Sequence, residues 1–178
     1  IYQTAKLLNV ESKADALIQS YRKDLQKTKQ MIPDNLTSKE IIIINGTYQP
    51  ATGKSLLRVE APGGYADKYL LEQLGCNNVG NVFKLGDMSP AKGHYMVRKN
   101  RNGFDLSPLV KANPEIIVAT GDTFAVQKAL ENYSQTDPKF KKVKAVQNMC
   151  IYGLPGYIDS GIIEYPKVLR KWVVALTH

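Results

Sequence analysis

Glu40-Ile41-Ile42-Ile43-Ile44-Asn45-Gly46, answered further along by Asn113-Pro114-Glu115-Ile116-Ile117-Val118-Ala119-Thr120-Gly121-Asp122, is the stretch that decides the fold class. Each run is apolar at successive rather than alternate positions, rich in β-branched residues, too short for a core helix and closed by a turn pair. That pattern predicts a strand buried on both faces, as in a parallel sheet. Pro114 disfavours helix at the residue before it, so the helix predicted over Leu106 to Ala112 ends there. Further helices are predicted from Tyr65 to Leu74, stopping at Gly75, from Thr123 to Asn132 and from Glu164 to Leu176. Val82-Phe83 and Asn148 to Tyr152 read as further strands, Asn45 to Ser55 and Gly153 to Gly161 as loops, and His94 to Asn102 as a basic polar segment. Strands alternating with helices predict an α/β class: a Rossmann-like lobe whose mainly parallel sheet is flanked by helices.

Ahead of this lobe, a short helical stretch ends at Asn9, a residue that tolerates the left-handed conformation. A long helix follows. Val10, Ala14, Leu17, Ile18, Tyr21 and Leu25 recur at threes and fours, the spacing of one buried stripe, and Pro33 stops the run. The expected organisation is therefore a helical arm over 1–33 and a lobe over 34–178.

The composition, 43% hydrophobic and 22% charged over 178 residues, is that of a globular chain able to bury a core without staples. The formal charge of +8 raises the question of a polyanionic partner. Many of the cations lie on the long helix (Lys13, Arg22, Lys23, Lys27, Lys29) or at Lys139, Lys141, Lys142 and Lys144, where a solvated face explains them, and no nucleic-acid motif accompanies them. Nucleic acid is not an expected partner. Cys76 and Cys150 fit no metal or redox spacing, so free thiols in apolar surroundings are expected, with a disulfide between them as the alternative. No apolar run approaches the length of a membrane span.

Tyr48 to Ser55, YQPATGKS, ends like a phosphate-cradling loop. That loop needs a glycine five residues before Gly53, where Tyr48 stands, and a helix after Ser55, where Ala61-Pro62-Gly63-Gly64 intervenes. A ligand loop or plain hairpin fits better. The alternative is a small α/β phosphate-binding enzyme or sensor using the glycine-containing loop 46–55. The only histidines are His94 and His178, and no nucleophile-elbow or metalloprotease spacing occurs, so neither enzyme, resident cofactor nor metal site is indicated.

Read in order, these segments resemble the C-terminal half of the helical-backbone (class III) substrate-binding proteins of ABC importers, the family that delivers ferric siderophores, haem, cobalamin and some oxyanions. Leu8-Asn9-Val10-Glu11-Ser12-Lys13-Ala14 resembles the entrance to the rigid helix between the two lobes, with Asn9 in place of the family's usual glycine. Strand 41–44 with Asn45 to Ser55 is similar to the first C-lobe strand and its ligand loop, particularly of the cobalamin-binding members. Tyr69 to Phe83 and the run from Phe104-Asp105-Leu106-Ser107 to Val118 resemble the next two blocks. Tyr152-Gly153-Leu154-Pro155 and the last helix with Trp172 match the close.

The resemblance implies a monomeric, extracytoplasmic, non-enzymatic protein, periplasmic or a cell-surface lipoprotein, that holds a metal chelate between two lobes and hands it to an ABC permease. The N-terminal lobe would precede Ile1. A ferric siderophore or haem is the expected ligand, with corrinoid or oxyanion as the other classes. The expected contacts sit on loops leaving strand ends: Tyr48, Lys54 and Arg58; His94, Tyr95, Arg98 and Arg101; Asp122 and Phe124; Tyr157 and Asp159. Arginine and lysine would neutralise chelator carboxylates or haem propionates, and tyrosine would offer a ring face and a hydroxyl. For permease docking, Ser107 stands where the family carries a glutamate, and Asp105 is the acidic residue nearest to it.

Overall fold

A computed structural model describes residues 1–87, 89–101, 103–156 and 161–177. A short helix α1 (Tyr2–Leu7) leads into α2 (Glu11–Gln30), and Asn9 between them adopts φ +53°, the left-handed turn its side chain tolerates. Strand β1 (Glu40–Gln49) is the spine of the sheet, with Ile41, Ile42, Ile43 and Ile44 at most 2% exposed. An unbroken apolar run is what such two-sided burial requires.

On one side of β1 lies β2 (Lys54–Glu60), antiparallel, from Ile44 opposite Val59 to Gln49 opposite Lys54. The span read from sequence as a loop from Asn45 to Ser55 is thus a β-hairpin, turning through 50–53. Gly53, at φ +63°, supplies the positive dihedral in that turn. After β2 the chain is helical from Tyr65, passes through a π turn (Asp67–Leu71) and closes in α3 (Glu72–Leu74) at Gly75, φ +71°. β3 (Asn77–Asn78) then pairs parallel with the first residues of β1.

Val82-Phe83, expected as a strand, is instead the end of a 3-10 turn (Gly80–Phe83) that buries Phe83 in the core. Two residues without a neighbouring strand gain more from packing than from an unmade ladder. The basic segment is also more ordered than a loop. It holds β4 (His94–Met96), antiparallel to β2, and a small ribbon of β5 (Lys99–Asn100) and β6 (Gly103–Phe104).

α4 (Ser107–Ala112) closes on Asn113, again left-handed at φ +49°, and β7 (Ile116–Gly121) follows, parallel to β1 from Ile41 opposite Ile116 to Gly46 opposite Gly121. Beyond come α5 (Thr123–Thr136), α6 (Lys144–Gln147), β8 (Ile151–Gly153), parallel to β7, and α7 (Tyr165–Leu176). The main strand order is β4-β2-β1-β7-β8. The parallel half is the one the isoleucine runs predict; the antiparallel wing is added by the hairpin.

The two faces of β1 have separate cores. Ile41, Ile43 and Val118 pack with Leu70, Leu71, Leu74 and Trp172, whereas Ile42, Ile44 and Ile117 pack with Leu106, Leu109, Val126 and Phe140. This is a three-layer α/β/α arrangement. The stripe on α2 is less covered than its spacing predicts: Ala14 and Thr28 are buried, Tyr21 and Leu25 pack partly against the core, and Leu17 stays 38% exposed. Both cysteines are free; burial pushes the Cys76 thiol up to about 11.

Candidate functional site

The hairpin, β7 and the start of α5 meet at the carboxyl end of the parallel strands, where open α/β sheets collect ligands. There the chain forms a groove of ≈ 670 Å³. Tyr48 and Lys54 come from the hairpin, Lys99 and Phe104 from the β5–β6 ribbon, and Phe124, Lys128, Asn132 and Tyr133 from one face of α5. Phe124 is 70% exposed and Tyr48 51%, so both rings are open to a bound molecule. Lys99 holds its ammonium 4.5 Å from the centroid of Phe104, a cation–π contact that fixes one charge on the groove wall.

Close packing of backbone sets the floor. A Cβ on Gly46 would run into the carbonyl oxygen of Asp122, so only glycine lets β1 and the β7–α5 turn approach this closely. Beside it the Asn45 amide donates to the Thr120 hydroxyl at 3.1 Å, joining the two strand ends. The Asp122 carboxylate accepts the Ala125 N–H at 3.1 Å and so caps α5. It lines the groove with one oxygen already committed to that cap. A second hollow of ≈ 650 Å³, between α5 and β8, is lined by Gln127, Glu131, Gln135 and Tyr152 among others and carries no cation. Of these two, the first combines aromatic rings with several ammonium groups.

The sequence matches no family model, and no curated protein matches it. Solved structures do. An ABC transporter substrate-binding protein from Listeria monocytogenes covers 98% of this chain at 18% identity and a TM-score of 0.61. FeuA of Bacillus subtilis, a triscatecholate siderophore-binding protein solved with ferri-bacillibactin, covers 97% at 21% identity and 0.59. IsdE of S. aureus, solved with heme, covers 99% at 20% identity and 0.60.

The fold is that of a class III substrate-binding protein.

The chain spans 61%, 56% and 62% of those three structures' own lengths, about three fifths of the whole protein in each case. Within this substrate-binding fold, the groove brings together Tyr48, Lys54, Asp122 and Phe124 of the residues expected from sequence, and adds Lys99, Phe104, Lys128, Asn132 and Tyr133. The last three, with Phe124, recur at helical spacing from the Asp122 cap. That face was the signal in the sequence that locates them.

Other expected residues lie elsewhere. His94 is on β4, paired with Glu60 in the register and well away from the hairpin tip. Its Nε2 lies 2.7 Å from a Glu60 carboxylate oxygen and its Nδ1 3.0 Å from the Lys92 carbonyl, so both ring nitrogens are engaged as donors in the imidazolium form. The hydrogen bond to Glu60 raises its pKa above 6.5, with burial and Arg58 opposing. This histidine is taken up in structural hydrogen bonds and does not line the groove. Tyr95 packs on the core and Arg58 is half-buried in mid-strand; neither lines the groove. Arg98 and Arg101 are exposed, flanking Lys99 without lining it. Tyr157 and Asp159 lie outside the described residues.

Asp105 accepts both the Ser107 N–H, at 3.0 Å, and the Ser107 hydroxyl, at 2.7 Å, which ties the two candidate docking residues into one turn at the start of α4. The loop resembling a phosphate cradle is the β1–β2 hairpin, and Ser55 opens a strand rather than a helix. The geometry for wrapping backbone N–H groups round a phosphate is therefore lacking there. Among the described residues no helix is long and apolar enough to cross a membrane, and no group of His, Cys, Asp and Glu is arranged to hold a metal ion.

Proposed function

We propose that this chain is the C-terminal lobe, with its connecting helix over 1–33, of an extracytoplasmic substrate-binding component of an ABC importer, and that residues 34–178 supply one jaw of a two-lobed clamp for a metal chelate. The observation that carries this reading is the ≈ 670 Å³ groove at the strand ends, rimmed by Lys54, Lys99 and Lys128 and by exposed aromatic rings, on a fold shared over nearly its whole length with substrate-binding proteins. A ferric siderophore or haem fits the lining best. Its anionic donors meet the ammonium groups and its flat faces meet Tyr48, Phe104 and Phe124. The incompletely covered apolar positions Leu7, Leu8 and Leu17 on the helical arm support an N-terminal lobe before Ile1. A lipid anchor, a monomeric state and docking to a permease through the Asp105–Ser107 turn belong to the same proposal, as does binding without turnover.

Titrating the full-length protein with a ferric tris-catecholate, hemin and cobalamin, and following quenching of its tyrosine and tryptophan fluorescence, tests it. Saturable binding of one of the iron ligands is the expected result. No response to any of the three refutes the metal-chelate reading.

Replacing Lys54, Lys99 and Lys128 together by glutamine is expected to weaken an anionic chelate about tenfold, since three partly screened pairs at ~0.5 kcal/mol each add to ~1.5 kcal/mol. Arg98→Ala with Arg101→Ala is expected to change affinity by less than about twofold. If the arginine pair matters and the lysines do not, the ligand lies outside the groove.

A further inference from the structure

The other end of the sheet carries a second concentration of charge that the chelate site does not use. Lys139-Phe140-Lys141-Lys142-Val143-Lys144-Ala145 turns its apolar residues inward, Phe140 and Val143 at 1% exposed and Ala145 at 0%, while all four lysines are exposed. The backbone of this segment is fixed. Ala145 N–H donates to the Pro114 carbonyl at 2.9 Å and Lys144 N–H to the Asn113 side chain at 2.9 Å, which binds the segment to the end of α4, where Lys111 is also exposed.

The carboxylates nearby are already engaged. Asp137 accepts the Lys139 N–H at 2.9 Å and the Tyr133 hydroxyl at 3.3 Å, and Glu115 accepts from Lys39 at 3.0 Å and from the Glu40 N–H at 3.1 Å. Among the described residues, none of Lys111, Lys139, Lys141, Lys142 and Lys144 is in an ion pair. The result is a pre-ordered cationic face at the amino end of β7, joined to the groove wall through Tyr133, whose hydroxyl meets Asp137.

We propose that this lysine face is a docking surface for an extended phosphate-rich polymer of the cell envelope. Lysine ammonium groups on a rigid turn read a chain of phosphates as point charges, without the planar two-pronged geometry that arginine would impose. Insertion into lipid calls for exposed aromatic or leucine side chains among the cations, and among the described residues none lies there, Met149 and Ile151 being the exposed apolar side chains nearby. A polymer of the envelope as the occupant rests on the import reading, which puts the chain outside the cytoplasm.

The test uses the full-length protein and fluorescently labelled long-chain inorganic polyphosphate, read by anisotropy. Binding at low salt should weaken with added salt, with a log–log slope of about 3, as expected for four or five ammonium contacts. The quadruple variant Lys139→Gln, Lys141→Gln, Lys142→Gln, Lys144→Gln should bind at least about tenfold more weakly, with an unchanged melting curve. A matched loss of charge on α2, Lys13→Gln, Arg22→Gln, Lys23→Gln, Lys27→Gln, should weaken it less than about threefold. Equal weakening by the two variants would mean that net charge alone attracts the polymer and would overturn the proposal. So would absence of binding, or lysine-dependent binding to vesicles of phosphatidylcholine and phosphatidylglycerol with none to polyphosphate. Chelate affinity is measured in parallel. Its failure with polymer binding intact would count against the import reading alone.

Discussion

Trp172→Ala is expected to cost about 4 kcal/mol of folding stability and to lower the melting temperature by roughly 8–16 °C. Trp172 is fully buried within the core formed with Ile41, Ile43, Leu70, Leu71 and Leu74, so its removal opens a cavity that neighbours on a rigid sheet cannot fill. Its indole N–H also donates to the Pro155 carbonyl at 2.9 Å, tying α7 to the segment leaving β8. Trp172→Phe separates the two contributions. It keeps most of the volume, loses the donor and should cost only about 1–2 kcal/mol. Thermal unfolding followed by far-ultraviolet circular dichroism checks both, and an alanine variant melting within about two degrees of the parent would show that α7 is not packed on the sheet as described.

The second large effect lies at His94. Glu60 is 2% exposed and its carboxylate has two partners, the Ala66 N–H at 2.7 Å and the His94 ring at 2.7 Å. His94→Phe removes the charge partner and leaves a buried carboxylate held by one amide, an arrangement costing about 3 kcal/mol. His94→Gln restores a donor without the charge and should recover part of it. The sign of the pH dependence follows from the raised histidine pKa. The folded protein holds this proton more tightly than the unfolded chain, so the stabilisation is complete below pH 6.5 and is lost as pH rises through the higher folded value. Urea unfolding of parent and His94→Phe at pH 5.5 and pH 9 should show the larger difference at the acidic value. Equal differences at both would mean that His94 acts only by filling space.

The parallel core was legible in the sequence because burial on both faces leaves no choice but continuous apolar residues, and Ile41 to Ile44 and Ile116 to Thr120 have that form. The helix stops were legible too, since Asn9, Gly75 and Asn113 each take the left-handed turn their chemistry permits. What was not legible is what depends on partners distant in sequence. Nothing in Lys54-Ser55-Leu56-Leu57-Arg58-Val59-Glu60 alternates cleanly, and it is a strand because the edge of β1 opposite β7 receives it. Asn148 to Tyr152 yields a strand only from Ile151 onward, because Met149 turns left-handed just before it.

The site divides the same way. Tyr48, Lys54, Asp122 and Phe124 follow from the rule that ligands collect at strand ends. Lys128, Asn132 and Tyr133 required knowing which face of α5 turns toward the hairpin. Arg58 and Tyr95 do not line the groove because a residue beyond a predicted loop lies inside a strand, and His94 does not because it sits on β4 against a buried carboxylate.

β7 ends at Gly121, opposite Gly46, whereas β1 runs on to Gln49 and turns back through Lys54. The hairpin tip therefore contributes to neither hydrophobic core. Its length and side chains can thus change while both cores stay intact. On the binding role proposed above, rewriting a few residues around 47–55 would change what the groove captures without changing how the chain folds.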